Sequence, residues 1–176
     1  MHSSLLMEIA ENCPNIESVR LFGTSVINTA SLRSSQEKHF KKLKSFEARL
    51  LFDEHEAYLE DLNPNMPDQQ VHPEFLHFFL ANSTSIQDIT LSAGIAFVNE
   101  NFLMEILNKN PLSELQRLCI SPLNKVLGLT QSVALNIIMA LPNLTTLAVT
   151  RWTMSAREII KLRQLLKSQN IDVMLI

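Results

Sequence analysis

The sequence predicts an α/β fold in which helices alternate with the strands of one parallel sheet. Three observations lead to this prediction. A short pattern with apolar residues at its first, fourth and sixth positions occurs six times along the chain. The starting points of these matches are separated by 27, 43, 29, 29 and 27 residues, so four of the five intervals are nearly equal. Helical periodicity precedes most of the matches, and helix–strand units joined in series build parallel sheets.

Length and composition restrict the class of protein. The chain has 176 residues, of which 46% are hydrophobic and 19% charged, which predicts one folded domain with a substantial core. A net charge of -3 gives no general attraction to nucleic acid or anionic membranes. There is no apolar run of ~18 residues and no secretory leader pattern. The two cysteines, Cys13 and Cys119, do not form a disulfide framework, so the predicted compartment is reducing: cytoplasm or nucleus.

Each match to the pattern is interpreted as a turn followed by a strand. In "LPNLTTLAV" and "CPNIESVRL" a Pro-Asn pair stands just before the alternating apolar residues, and both residue types favour turns. The six matches are Ile16-Val19-Leu21, Leu43-Phe46-Ala48, Ile86-Ile89-Leu91, Leu115-Leu118-Ile120, Leu144-Leu147-Val149 and Ile171-Met174-Ile176. We expect strands near residues 17–21, 45–49, 87–91, 116–120, 145–149 and 172–176, paired in chain order.

Segments with one apolar stripe at helical spacing come before the strands. They are "SSLLMEIAEN" (3–12), "HPEFLHFFLANS" (72–83), "NENFLMEILNKN" (99–110), "TQSVALNIIMAL" (130–141) and "SAREIIKLRQLLKS" (155–168). A further, more polar helix is expected over residues 31–40. Thr130 and Ser155 are candidate N-caps because their hydroxyl oxygens accept from free N–H groups of a first helical turn.

The 43-residue interval is about 15 residues longer than the others and indicates an insert near residues 51–71. Its first half is acidic, including His55 among carboxylates, and its second half contains prolines. Two interpretations remain open: a loop that binds a partner, or a solvated acidic excursion facing the basic residues just upstream. The carboxylates around His55 do not have the spacing of a metal-binding loop.

The repeated unit of a helix, a turn and a strand every 27–29 residues resembles the leucine-rich repeat family. The segments that carry the resemblance are "CPNIESVRL", "NPLSELQRLCI" and "LPNLTTLAV" with their upstream helices, and only residues 51–71 fall outside it. The period is similar to that of the ribonuclease-inhibitor-like subclass, which includes the repeat arrays of F-box proteins. The resemblance implies a solenoid with a parallel sheet on its concave side and helices on its convex side. An ordinary α/β sandwich is the alternative.

At the ninth position of the unit the family usually has Asn or Cys, which bonds the loop backbone. This chain instead has Thr24, Leu51, Gly94, Leu123 and Trp152 there. Trp152 is interpreted as an anchor that holds its loop in the core, with a binding platform as the alternative.

By the same resemblance, the third and fifth positions of each unit face out of the concave sheet and bind a protein partner. They are Ser18, Arg20, Ser45, Glu47, Asp88, Thr90, Arg117, Cys119, Thr146 and Ala148, followed by Val173 and Leu175 in the last unit. The predicted function is a non-enzymatic interaction scaffold, similar to the substrate-recognition array of an F-box-type ubiquitin ligase. Ligase subunits would bind a segment absent from this chain. The alternative is an array of another class, in an immune receptor or an enzyme regulator.

The sequence has no pattern for catalysis, a cofactor or a metal. It has no G-x-S-x-G motif, and Cys119 has no histidine at the equivalent positions of neighbouring units to act as its base. We therefore predict no catalytic, cofactor-binding or metal-binding residues. The net charge and the lack of a long apolar run likewise predict neither nucleic acid nor a membrane as a partner.

The two ends of the chain lack the polar caps that repeat arrays need, so the chain is expected to be part of a longer protein. The last segment, "NIDVMLI", predicts an edge strand with unpaired backbone groups that promotes self-association. Val173 and Leu175 are expected to form its exposed apolar face.

Overall fold

The computed structural model describes residues 12–22, 40–49, 73–92, 98–121 and 127–176. Within them, six strands form one sheet that follows the order of the chain, and every neighbouring pair is parallel. The strands are β1 (Ser18–Phe22), β2 (Ser45–Arg49), β3 (Asp88–Ser92), β4 (Arg117–Ile120), β5 (Thr146–Ala148) and β6 (Met174–Leu175). The prediction of an α/β fold with sequential parallel strands is confirmed.

Four helices lie where helical periodicity placed them. They are α1 (Pro73–Asn82), α2 (Glu100–Lys109), α3 (Gln131–Ala140) and α4 (Ala156–Ser168). The predicted helices over 3–12 and 31–40 lie outside the described residues, apart from Asn12 and Phe40 at their ends. The insert near 51–71 lies outside them entirely.

The N-caps of α3 and α4 differ although both residues are hydroxylic. Ser155 forms a full capping box with Glu158, in which each residue's side chain bonds the other's backbone N–H. Thr130 occupies the N-cap position of α3 without a side-chain bond to the helix backbone, and its hydroxyl pairs with Ser132 at 2.8 Å. The prediction of the cap position is therefore right for both residues, but only Ser155 makes the capping bond.

A turn of constant geometry leads into most of the strands. In each case the backbone N–H of the first pattern residue donates to the carbonyl three residues earlier, at 2.9–3.2 Å. The pairs are Ile16 to Cys13, Leu43 to Phe40, Leu115 to Leu112 and Leu144 to Leu141. The Leu-Pro-Asn-Leu segment is thus one of four equivalent turns in the part of the chain that the structure describes. The turn ends a unit and sets the first pattern residue at the core.

A ladder of shared carbonyls aligns the units immediately after these turns. Each carbonyl accepts two consecutive N–H groups from the next unit; the four acceptors are Glu17, Lys44, Gln87 and Gln116. Because the same bond recurs, β1 to β5 are in one register. Val19, Phe46, Ile89, Leu118 and Leu147 therefore form a single cross-strand row.

The core lies against one face of the sheet. Successive residues of β2 and β3 alternate between buried and half-buried positions, and the buried ones join the apolar stripes of the helices in one cluster. Phe40, Phe46 and Phe79 lie at its centre, with ring centroids 4.4 Å apart for Phe79 and each of the other two. The opposite face of the sheet stays largely accessible.

Asn110 joins two consecutive helix ends inside the protein. It is 3% exposed, and its amide nitrogen donates to the carbonyls of Leu80 and Ser83 at 2.7 and 2.8 Å. Both acceptors lie at the end of α1, where helix carbonyls lack intrahelical partners. A side chain of one unit thus completes the hydrogen bonds of the unit before it.

The last strand corrects one prediction. Leu175 is 3% exposed and pairs in register with Leu147, whereas Met174 and Ile176 are 59% and 48% exposed. The expectation that Val173 and Leu175 face outward is therefore wrong, because Leu175 is buried and Val173 packs against the core. Met174 and Ile176, which the pattern assigned to the core, take the outward positions.

A different turn after α4 causes this shift. The helix has 13 residues, compared with ten in α2 and α3, and the turn that follows it contains Asn170 at a φ of 55°. The N–H of Ile171 then bonds Leu166 instead of the carbonyl three residues earlier. In the preceding unit the buried strand residue, Leu147, comes three residues after the first pattern residue, Leu144. In the last unit Leu175 comes four residues after Ile171, so the buried position is shifted by one residue.

The outer edge of β6 is partly occupied. The backbone of Met174 and Ile176 bonds β5, so the backbone groups of Leu175 point away from the sheet. The Arg163 guanidinium donates to the Leu175 carbonyl at 2.8 Å. Self-association through this edge stays a prediction, but lysine at position 175 would disrupt the core and is not a suitable probe of it.

A charged cluster connects α1 and α2 at the surface. Lys109 Nζ lies 3.1 Å from His77 Nε2 and 3.1 Å from Glu105 Oε1, and His77 lies 3.4 Å from the same carboxylate oxygen. Burial and the positive charge of Lys109 lower the pKa of His77, and Glu105 opposes this only in part. The folded protein therefore favours neutral His77.

This lowered pKa predicts a pH dependence of stability. The unfolded chain takes up a proton on His77 near the ordinary pKa of about 6.5, before the folded chain does. Stability is therefore expected to fall as the pH decreases from about 6.5 through the folded pKa. In His77→Gln the side chain at this position cannot titrate. The free energy of unfolding, measured by urea unfolding at several pH values across that range, is therefore expected to depend less steeply on pH in this variant than in the wild type. Identical slopes for both proteins would contradict the prediction.

Candidate functional site

The ten residues predicted to bind a partner lie in two cross-strand rows on the accessible side of the sheet. The first row is Ser18, Ser45, Asp88, Arg117 and Thr146, and the second is Arg20, Glu47, Thr90, Cys119 and Ala148. We call the surface formed by these ten residues the polar face. Residues two apart in a strand share a side, so the register of the turns brings all ten together.

Ala148 is a correction within this set. It is 3% exposed, so it is buried instead of facing outward as the prediction assumed. Its methyl group stands in the row beside the larger side chain of Cys119. A single methyl group between larger neighbours does not reach the surface of the sheet.

Glu47 is held between two arginines at the β1–β2 side of the polar face. Arg20 Nε lies 3.2 Å from one carboxylate oxygen of Glu47, and Arg49 Nε contacts the other oxygen. The Glu47 side chain is only 14% exposed, whereas those of Arg20 and Arg49 are 65% and 54% exposed. The carboxylate is therefore shielded, and the arginines form the outer surface.

The prediction from the sequence missed Arg49. This residue lies two positions after the fifth position of its unit, beyond the end of the repeat pattern. The signal was present, because the alternation of Glu47 and Arg49 continues along the same side of β2.

Arg117 and Cys119 occupy the centre of the face on β4. Arg117 is exposed and pairs in register with Asp88, and Cys119 is half-buried beside Thr90. Burial raises the pKa of the Cys119 thiol, while the charges of Arg117 and Arg49 oppose this rise. The thiol is consequently protonated at neutral pH, and this lends no support to a nucleophilic role.

Trp152 is the anchor that the sequence indicated. The indole is 4% exposed, and its Nε1–H donates to the Ile120 carbonyl at the end of β4, at 3.0 Å. The backbone of Leu127 pairs with Arg151 and Thr153 on either side of it. Trp152 thus ties its loop to the end of the neighbouring strand. The other four ninth positions lie outside the described residues.

A second polar surface lies where the strands begin. An open cleft of about 380 Å³ is lined by Gln87, Glu114, Gln116, Asn143 and Thr145. Asn143 donates to the Ser113 carbonyl at 2.8 Å and Thr145 to the Gln116 carbonyl at 3.0 Å. These bonds tie consecutive units together, so two of the five side chains are already used within the protein. The sequence prediction did not include this cleft.

Comparison of the chain with models of protein families, with curated protein sequences and with solved structures finds no match in any of the three. No helix among the described residues combines the length and the hydrophobicity needed to cross a membrane.

Proposed function

We propose that this protein is a leucine-rich-repeat-type solenoid that binds a protein partner on the polar face without catalysing a reaction. One observation carries the proposal. Sequence units of nearly constant length place two rows of varied polar and charged side chains side by side on the accessible side of a sequential parallel sheet. A surface with arginines and small side chains is suited to protein recognition, since arginine is enriched in interfaces.

The repeated hydrogen bonds support the solenoid. The turns and shared carbonyls recur from unit to unit, and the main packing contacts join elements adjacent in the chain. In repeat proteins each unit contacts chiefly its neighbours, and the stacked sheet offers an extended binding surface.

The binding proposal is tested with a bulky side chain at the centre of the face. Thr90 is half-buried on β3, between β2 and β4. Thr90→Tyr introduces a bulky aromatic ring, and tyrosine is among the residues that β-strands favour. We expect Thr90→Tyr to abolish capture of at least one protein that the wild-type chain retains from an extract of the cells that express it. Quantitative mass spectrometry measures the captured set.

Gln164→Tyr provides the matched control, because Gln164 is exposed on α4, away from the sheet. Both variants should melt within a few degrees of the wild-type chain. If Thr90→Tyr and Gln164→Tyr capture the same proteins in the same amounts as the wild type, the polar face is not the binding site.

The narrower proposal, a substrate-recognition array of an F-box-type ubiquitin ligase, rests on the resemblance alone. Localisation to the cytoplasm or nucleus belongs to the same proposal. The coding sequence upstream of Met1 distinguishes it from the alternatives. An F-box-like helical segment there supports it, and a nucleotide-binding domain supports an immune-receptor-type sensor instead.

A further inference from the structure

Every positive side chain on the described strands that form the polar face is an arginine. These arginines are Arg20, Arg49 and Arg117, whereas the described lysines lie outside the strands, including Lys44, which directly precedes β2 and pairs with Glu17. Arginine presents a planar fork of donors that matches a carboxylate, and it is less strongly hydrated than lysine. The choice of cation therefore indicates recognition of planar anions.

The two carboxylates of the face do not cancel this charge at the surface. Glu47 is shielded beneath Arg20 and Arg49, whose side chains are more than half exposed. Asp88 is half-buried, and its register partner Arg117 is exposed. A molecule that approaches the face meets guanidinium groups first.

At β6 the same surface ends in two apolar side chains, Met174 and Ile176, which we call the apolar end. Met174 follows Thr146 in the first row, and the backbone bonds of Ile176 place it beside Ala148 at the end of the second. Both side chains are about half exposed, unlike most of the large apolar residues described. Neighbouring strands are ~4.8 Å apart, so the apolar end lies ~10 Å from β4 and ~19 Å from β2.

We propose that the polar face binds an extended acidic segment of a partner protein with one large apolar side chain at its end. This inference rests on the function proposed above. An extended chain advances ~3.3 Å per residue, so carboxylates ~3 and ~6 residues from the apolar anchor meet Arg117 and Arg49. The segment runs across the strands, with its anchor on Met174 and Ile176.

The anion is a carboxylate and not a phosphoryl group because of Glu47. A phosphoryl dianion needs several cations directed at one point, but Arg20 and Arg49 are directed at Glu47. A dianion beside that carboxylate is repelled about twice as strongly as a monoanion, and a single carboxylate can take the exposed donors of one arginine.

The test is selection of a displayed library of random 12-residue peptides on the immobilised 176-residue chain. We expect the retained peptides to be enriched in Asp and Glu, with an aromatic or large aliphatic residue about three positions from the first acid. Selected peptides, labelled with a fluorophore, are then titrated by polarisation against wild type and variants. Arg49→Gln with Arg117→Gln should weaken binding at least tenfold, and so should Met174→Ser with Ile176→Ser.

Arg157→Gln with Lys161→Gln is the matched control, because it removes two exposed positive charges from α4 instead of the sheet. It should change the affinity less than twofold. Circular dichroism melting of each variant separates loss of binding from loss of folding.

The outcomes distinguish the two proposals. Basic or neutral peptides whose binding is lost in Thr90→Tyr would retain the polar face as a binding site and overturn the acidic partner. Peptides whose binding survives every variant of the face, or the absence of any retained peptide, would count against both proposals.

Discussion

Leu147→Ala is expected to lower the free energy of unfolding by about 2–5 kcal/mol. Leu147 is fully buried at the centre of β5, in register with Leu118 on one side and Leu175 on the other. Truncation leaves a cavity that these neighbours cannot fill, because the backbone ladder fixes the distances between the strands. Urea unfolding followed by circular dichroism measures the loss.

Two further variants make that result interpretable. Leu147→Met keeps nearly the same volume and should cost less than about 1.5 kcal/mol, so it gives a folded reference if the alanine variant does not fold. Ile160→Ala removes an apolar side chain that is 53% exposed on α4 and should change stability by no more than about 0.5 kcal/mol. Equal losses for positions 147 and 160 would contradict the observed core.

Trp152→Ala is expected to cost about 3–5 kcal/mol, because it removes the largest side chain of the loop that packs on β4 and β5. Trp152→Phe separates the two contributions of the indole. It keeps most of the apolar ring but leaves the Ile120 carbonyl without its donor, for an expected loss of about 1–3 kcal/mol. Unfolding of both variants is measured by circular dichroism.

Trp152 is the only tryptophan in the chain, so its fluorescence also reports on this site directly. Emission from the folded wild-type protein should lie at the short wavelengths typical of a buried indole and shift to longer wavelengths on unfolding. A solvent-exposed emission spectrum from the folded protein would show that the loop is not anchored, and the expected cost of substitution would then disappear.

The candidate site could be predicted wherever side chains alternate in polarity. In β2 and β3 every second residue is polar, as in "SFEAR" and "DITLS", and β1 follows the same alternation as far as Arg20, so the alternation identifies the residues that face out of the core. Arg49 belongs to the same alternation and was missed only because the repeat pattern ends at Ala48, one residue earlier. The pairing of Glu47 with both arginines was not predictable, since it depends on where two long side chains meet.

The sequence by itself determined the four described helices and the order and direction of the six strands, and it left two roles open for Trp152, between which burial and the bond to Ile120 decided. Helical periodicity and the near-constant interval between strands are properties of the chain itself, so they can be read from the sequence without knowing how the segments pack. Tertiary structure decided the rest. "VMLI" is apolar at every position, so the sequence does not show which of its side chains face the core. The turn that contains Asn170 decides this by aligning Leu175 with Leu147. The burial of Ala148 and the bonds of Asn110 depend on neighbouring units, which only packing brings into contact.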